Sequence, residues 1–254
     1  MKINILKDMD LYKNLEQYNS IIKDVSKKYF ITKDDAVVEW FNPDKYRELP
    51  LSRTYPETSP ELLRPEYSLI MFLSNYVPLF LINLLYKDNK DILIEEFGGG
   101  IGRLMLFLSK LGFKNFNNID NFSQTIKPFF QEMMTAGNIN AKINDLSFQP
   151  KIVINTGAPF FYITYGLDPY ETFKSYSEHK PSPEIDLEQA KKRKLTELEL
   201  ICFYNNIQWA DLASLILAPQ GFKYLCKDSD EMGIAWCRKD KHKEFTEKLK
   251  PYEC

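Results

Sequence analysis

The chain has 254 residues, with 33 Lys and Arg set against 35 Asp and Glu for a formal net charge of −2. That length suits one large α/β domain or an ordinary domain with an added lobe. A hydrophobic share of 44% and a charged share of 27% exclude a disordered chain, and near neutrality excludes a strongly basic nucleic-acid binder.

Taken from its start, the chain carries Asp8 and Asp10 where a secretion signal would need an unbroken apolar run. Leu11, Leu15, Tyr18, Ile21 and Ile22 then recur at three- and four-residue spacings, which predicts an amphipathic helix. Pro43, Pro50, Pro56, Pro60 and Pro65 punctuate the next segment. Within it Tyr46, Arg47, Arg53, Tyr55, Glu57, Arg64 and Tyr67 form a polar-aromatic set suited either to a small anionic or aromatic substrate or to plain solvation and packing. Ser68 to Tyr86 is free of charge, but Ser74, Asn75, Pro78 and Asn83 interrupt it, so a buried helix kinked at Pro78 is expected and no membrane span. Residues 1–88 are read as an N-terminal helical cap over a substrate.

From Asp91 short apolar runs alternate with helical periodicity, the pattern of a parallel sheet covered by helices on both faces. Strands are predicted at 92–96, 116–119, 141–144, 151–155, 198–204, 222–227 and 232–238. The 198–204 run could instead continue a helix. Ile101, Leu104, Met105, Leu108 and Leu111 mark one helix face, and Ile126, Phe129, Phe130 and Met133 the next. The polar turn Asp228 to Glu231 makes the last two strands an antiparallel hairpin. The expected fold is thus a Rossmann-like, seven-stranded, mostly parallel sheet over residues 89–240, followed by a C-terminal tail at 241–254. Lys191 to Lys194 is the only basic cluster, read first as a solvated helix face and second as a phosphate or RNA contact.

Four cysteines are present, and Cys202, Cys226, Cys237 and Cys254 make no C-x-x-C pair; only His179 and His242 could join them, so no metal site is expected. Cys202, Cys226 and Cys237 lie in apolar runs, as reduced core thiols of a cytoplasmic protein do.

The segment that carries chemistry is Ile92 to Gly102: an apolar strand, an acid at Glu96, glycines at Gly98, Gly99, Gly100 and Gly102, then a helix. Glycines at such a turn let backbone N–H groups approach a ligand, and the helix start favours an anionic group. A dinucleotide fingerprint begun at Gly98 would need glycine where Arg103 stands. Glu96 also disfavours a pyrophosphate and suits a ligand with an ammonium group.

Glu96, Gly98, Gly100 and Gly102 resemble the first motif of the class I S-adenosylmethionine-dependent methyltransferases, an apolar strand, an acid and G-x-G-x-G. The resemblance covers about residues 89–239. It implies that the turn holds the methionine end of S-adenosylmethionine and that Glu96 is linked to its amino group. It implies further that Asp120, with Asn121 beside it after the second strand, accepts the ribose hydroxyls. Asp145, flanked by Asn144 and Leu146 after the third strand, resembles the acid that accepts from the adenine amino group.

The fourth strand ends in Asn155 to Tyr162, where such enzymes place the methyl acceptor. Gly157-Ala-Pro-Phe160 lacks the side-chain acceptor that enzymes acting on base amino groups carry, unless Asn155 replaces it. Asn155, Tyr162 and Tyr165 are the candidate catalytic residues. Asp168 could also face a substrate, and Glu178 and His179 are further candidates for a base. The expected function is methylation of a small molecule. RNA or protein methylation, transfer of an aminopropyl or aminocarboxypropyl group, and a non-catalytic cofactor-binding subunit remain open alternatives.

Overall fold

The computed structural model describes residues 1–5, 77–100, 102–120, 126–155, 159–167, 178, 197–204, 209–229 and 233–254. The amphipathic segment 11–22, the proline-punctuated region with its polar-aromatic set, the Pro78 kink's preceding half, Asn121, Asp168, His179 and the basic cluster lie outside these residues.

The order of elements is β1 (Lys2–Ile3), a helical stretch at 77–85 (α1), β2 (Leu93–Phe97), α2 (Arg103–Lys110), β3 (Asn115–Ile119), α3 (Ile126–Gly137) and β4 (Ala141–Ile143). There follow β5 (Ile152–Asn155), α4 (Pro159–Tyr165), β6 (Leu200–Tyr204), α5 (Trp209–Leu217), β7 (Phe222–Asp228), β8 (Gly233–Arg238) and α6 (His242–Leu249). Leu200–Tyr204 is a strand, as the apolar run there predicts.

These strands make one mixed sheet in the order β1-β7-β8-β6-β5-β2-β3-β4. The pairs from β4 to β6 are parallel, and β8 is antiparallel to both β6 and β7. The fold is therefore the expected Rossmann-like sheet ending in an antiparallel hairpin. Asp228 closes that hairpin, its Oδ1 accepting the Gly233 N–H at 2.7 Å.

Alternation of side chains along the strands divides the core in two. On one face Ile94, Phe116, Ile152, Ile154, Leu200 and Cys202 pack with α1, α2, α3 and α6. The other face buries Phe97, Ile119, Val153, Ile201 and Phe203 against Phe160, Phe161, Tyr165 and the α5 residues Ile216 and Leu217. A bulge between Tyr224 and Cys226 lets β7 serve both layers, with Phe222 on one side and Cys226 on the other.

The uncharged stretch ending at Tyr86 is a core helix over 77–85: Val77, Leu79, Phe80, Leu81 and Ile82 are buried. Among the described residues no helix is long and apolar enough to cross a membrane. The Tyr86 hydroxyl donates to Glu199 Oε2 at 3.3 Å, tying the end of this helix to the start of β6. Burial, with Glu199 nearby, raises the Tyr86 phenol well above its ordinary value. Cys202, Cys226 and Cys237 are free, buried thiols, and burial pushes Cys237 up to about 12.

Two corrections to the sequence reading concern the chain ends. Among the described residues the sheet has eight strands where seven were expected, because Lys2–Ile3 pairs in parallel with Lys227 and Asp228 of β7. A two-residue edge strand is too short to show periodicity. The segment 241–254 is also no loose tail: α6 buries Phe245 and Leu249 in the core, and Ile3 bridges to Glu253.

Phe245 sets an edge-on contact with Tyr86 at 5.6 Å. Phe245→Ala should lower the unfolding free energy by about 3–5 kcal/mol, the usual range for emptying a buried aromatic site, as read by urea denaturation. A change within experimental error would mean that α6 is not part of the cooperative core.

Candidate ligand-binding site

The chain leaves β2, builds β3 and β4 to one side, then returns through β5 to the other side of β2. Strand order therefore reverses between β2 and β5, and at such a reversal the loops on the carboxyl edge diverge and open a crevice. The glycine turn 98–102 and the end of β5 flank that crevice.

The turn is anchored at both ends by its backbone. Gly98 N–H donates to Ile119 O at 2.8 Å, and Gly102 N–H donates to Gly99 O at 2.9 Å. Gly102 is the residue capping α2, and Leu106 N–H returns to its carbonyl at 3.0 Å. Between them Gly100 is held twice by β3 and the residue after it. Its N–H donates to Asp120 Oδ2 at 2.7 Å, and its carbonyl accepts from Asn118 Nδ2 at 3.2 Å.

Two glycines here cannot be exchanged for other residues without cost, and for different reasons. Gly100 has φ +52, and a Cβ added to it would meet nothing within 4 Å, so this residue borders open space. A Cβ on Gly99 would instead lie 2.7 Å from Asn118 Oδ1 and 2.7 Å from the Glu96 carboxyl carbon. Only a residue without a side chain lets the turn descend this far onto Glu96 and Asn118.

Beneath the turn lies a polar layer inside an otherwise apolar sheet. Glu95, Glu96, Asn117, Asn118 and Asn155 are all buried. In register, Glu95 stands beside Asn117 and Glu96 beside Asn118, one pair on each face of the sheet. Glu95 Oε2 accepts from Asn117 Nδ2 at 2.5 Å. Asn118 Oδ1 is buried with no hydrogen-bond partner among the described residues. Glu95, Asn117 and Asn118 were not singled out from the sequence. The available signal was two adjacent acids and two adjacent asparagines inside strands that must bury both faces, where polar groups need partners.

Asp120 and Asp145 end neighbouring strands, and each is braced by an asparagine from the other. Asn144 Oδ1 accepts from Asp120 N–H at 2.9 Å, while Asn144 Nδ2 donates to Asp120 O at 3.0 Å. Asn117 Nδ2 donates to Asp145 O at 3.0 Å, and Asn117 Oδ1 accepts from Asp145 N–H at 3.2 Å. Asn144 adopts φ 50, a left-handed conformation that Asn tolerates. The Asp145 carboxylate accepts from Lys142 Nζ at 2.6 Å and from the backbone and hydroxyl of Ser147. These bonds, that from Lys142 first, hold its carboxyl down to about 2. Leu146 follows with its side chain 52% exposed, the only large hydrophobic so exposed among the described residues.

The candidate catalytic residues fare differently. Asn155 is buried at the end of β5, in register with Phe97 and Phe203. Tyr162 lies in α4, and its side chain is outside the described residues. Tyr165 is not at an open face: it is 5% exposed within the aromatic layer, 6.0 Å from the Phe160 ring, and burial pushes its phenol up to about 12. The helical spacing that set it beside Tyr162 in sequence turns it into the core. Glu178 is exposed. Among the described residues no His, Cys, Asp and Glu cluster could hold a metal ion.

No protein-family model and no curated protein matches the chain. Among solved structures it is similar to magnesium protoporphyrin IX methyltransferase from Synechocystis, at 14% identity over 87% of this chain and 96% of that one, with TM-score 0.47. Ribosomal protein L11 methylase from Lactobacillus delbrueckii subsp. bulgaricus matches at 14% identity over 65% of this chain and 79% of that one, with TM-score 0.42. A glycopeptide N-methyltransferase complexed with sinefungin matches at 10% identity over 64% and 91%, with TM-score 0.40.

Two outcomes follow from the geometry of the turn and of Asp145. Gly99→Ala should destabilise the protein by about 1–3 kcal/mol through overpacking, against about 1 kcal/mol for Gly100→Ala from its backbone conformation alone; the reverse order in urea denaturation would refute the close approach at Gly99. Because the Asp145 carboxyl is held low, its pair with Lys142 stabilises the fold at neutral pH and is lost as pH falls through about 2. Lys142→Met should move the Asp145 midpoint upward toward the ordinary carboxylate value, as followed by carboxyl-carbon NMR. An unmoved midpoint would show that Lys142 does not set it.

Proposed function

We propose that this chain is an S-adenosylmethionine-dependent methyltransferase acting on a small molecule. One observation carries the reading: an open glycine turn at the strand-order reversal, held by Asn118 and Asp120, with side-chain acceptors Glu96, Asp120 and Asp145 on three consecutive strands. Acceptors in that array disfavour a phosphate-bearing ligand and match one whose polar groups are an ammonium, a ribose diol and an adenine amine.

The residues present fit such a ligand. Gly100 borders open space where a side chain would intrude. The carboxyl of Glu96 lies directly below Gly99, under the place assigned to the amino-acid end. Asp120 gives one oxygen to Gly100 N–H, and a carboxylate with about four acceptor sites has room for ribose hydroxyls as well. Asp145 has three donors from Lys142 and Ser147, which leaves about one site for an amine. The exposed Leu146 side chain supplies apolar surface for a flat base.

When bound, the cofactor supplies a methyl group on a sulfonium, already activated for attack. The work left to the protein is to orient the incoming nucleophile and to exclude water, which in favourable cases is worth about 7–11 kcal/mol. A base is needed only for a nucleophile that arrives protonated. Selection of a small substrate over RNA agrees with the balance of 33 basic and 35 acidic residues.

Calorimetric titration tests the reading directly. S-adenosylmethionine and S-adenosylhomocysteine should bind in the micromolar range while NADH does not. Binding of NADH alone would overturn the assignment. Asp120→Ala should weaken S-adenosylhomocysteine by about 1–3 kcal/mol, and Asp120→Asn by less, because its amide oxygen can still accept from Gly100 N–H. Equal affinity in all three proteins would place the ribose elsewhere.

A further inference from the structure

The two acids assigned to the nucleoside portion of the ligand are fixed by a reciprocal pair of asparagine amides. Asn144, just after β4, bonds both backbone groups of Asp120, and Asn117, within β3, bonds both backbone groups of Asp145. Each amide uses one donor and one acceptor, so the two strand ends are joined beyond the last ladder pair, Asn118 with Ile143. Four hydrogen bonds thereby tie two residues whose own pairing would otherwise fray at an exposed edge.

The two braces differ in how they are supported. Asn117 is buried and also bonds Glu95, so its amide orientation is set from within the core. Asn144 is exposed, and among the described residues its amide is oriented by Asp120 alone. Asp120 carries a second obligation, since its Oδ2 accepts from Gly100 N–H. Displacing the Asp120 backbone therefore shifts its carboxylate relative to the glycine turn as well as relative to Asp145.

We infer that Asn144, with Asn117 as its counterpart, is a positioning residue: it fixes the Asp120 carboxylate where a ribose diol reaches it, and so makes the site selective for a ribonucleoside over its 2′-deoxy form. This rests on the cofactor reading above, and it extends that reading to a residue that works through Asp120 without needing to touch the ligand. Because Asn144 is exposed and lies at φ 50, glycine can take its place and keep the backbone, deleting only the amide. Asn117 does not offer so clean a deletion, since its loss would also strand Glu95.

The test is a thermodynamic cycle on the full chain between ligand and side chain, with S-adenosylhomocysteine and its 2′-deoxyribose counterpart titrated into the wild type, Asn144→Gly and Asn144→Asp. The wild type should prefer the ribose ligand by about tenfold, the scale of one hydrogen bond to a charged acceptor. Asn144→Gly should reduce that preference to about twofold or less, because contacts in one network are non-additive, while the fold persists with the modest loss of thermal stability that two missing hydrogen bonds cause. Asn144→Asp retains an acceptor for Asp120 N–H and should restore part of the preference. Equal weakening of both ligands by Asn144→Gly would overturn the positioning role. A wild type that binds neither ligand would overturn the cofactor reading itself.

Discussion

The shape of the site depends on one contact, the grip of β3 on Gly100. Backbone groups in a surface turn are normally satisfied by water or by the adjoining helix. Here the Gly100 N–H and carbonyl are both claimed by side chains two positions apart, Asp120 and Asn118. Side chains at that spacing in a strand point the same way, so a single strand end can hold both groups of one residue. The turn is thereby drawn down until Gly99 sits against Glu96 and Asn118, and α2 begins from Gly102 in a fixed direction.

That grip would have no consequence without the sheet order. Parallel strands β2, β3 and β4 lie side by side, so their carboxyl ends share one edge. Reversal at β5 sets the glycine turn beside the point where strand order changes. The asparagine braces then remove the remaining freedom at that edge. Each hydrogen bond in them contributes only about 0.5–1.5 kcal/mol net, but they act on residues that have no further ladder partner. Local order at the edge is set by side chains, whereas order in the interior is set by backbone pairing.

Most of the fold was legible in the sequence because burial on both faces writes near-continuous apolar runs, as in β5, β6 and β8, and because polar and helical stretches separate the remaining short strands. The glycine turn was legible because a strand, an acid and glycines in that order have few other uses. Three things were not. Lys2–Ile3 is too short to carry a period. Phe245 and Leu249 are two apolar residues in a polar helix, and nothing local says that a groove beside Tyr86 awaits them. Asn117 and Asn118 read as ordinary strand residues; their partners lie 18 to 28 positions away, and only the register brings them together. The burial of Tyr165 was not legible either, since a polar tip on an aromatic ring does not reveal which way the helix turns it.

The polar layer under the turn is expensive for a sheet buried on both sides. Replacing buried carboxyl and amide groups by apolar residues of similar volume is often neutral or stabilising, and an oxygen such as Asn118 Oδ1, buried with no partner among the described residues, costs about 1–3 kcal/mol while it stays unsatisfied. The neighbouring strands show the alternative: Ile152, Val153 and Ile154 fill the same depth of β5 with no polar atom to satisfy. Glu95, Glu96, Asn117 and Asn118, with Asn155, gather buried polar groups where strand order reverses, whereas buried Asp228 in β7 is used to close the hairpin. A concentration of buried polar groups at that place is the kind of departure from consistent core chemistry that a binding site imposes on a fold. Asn118 states the trade most clearly: its amide nitrogen shapes the turn, and its oxygen bears the cost.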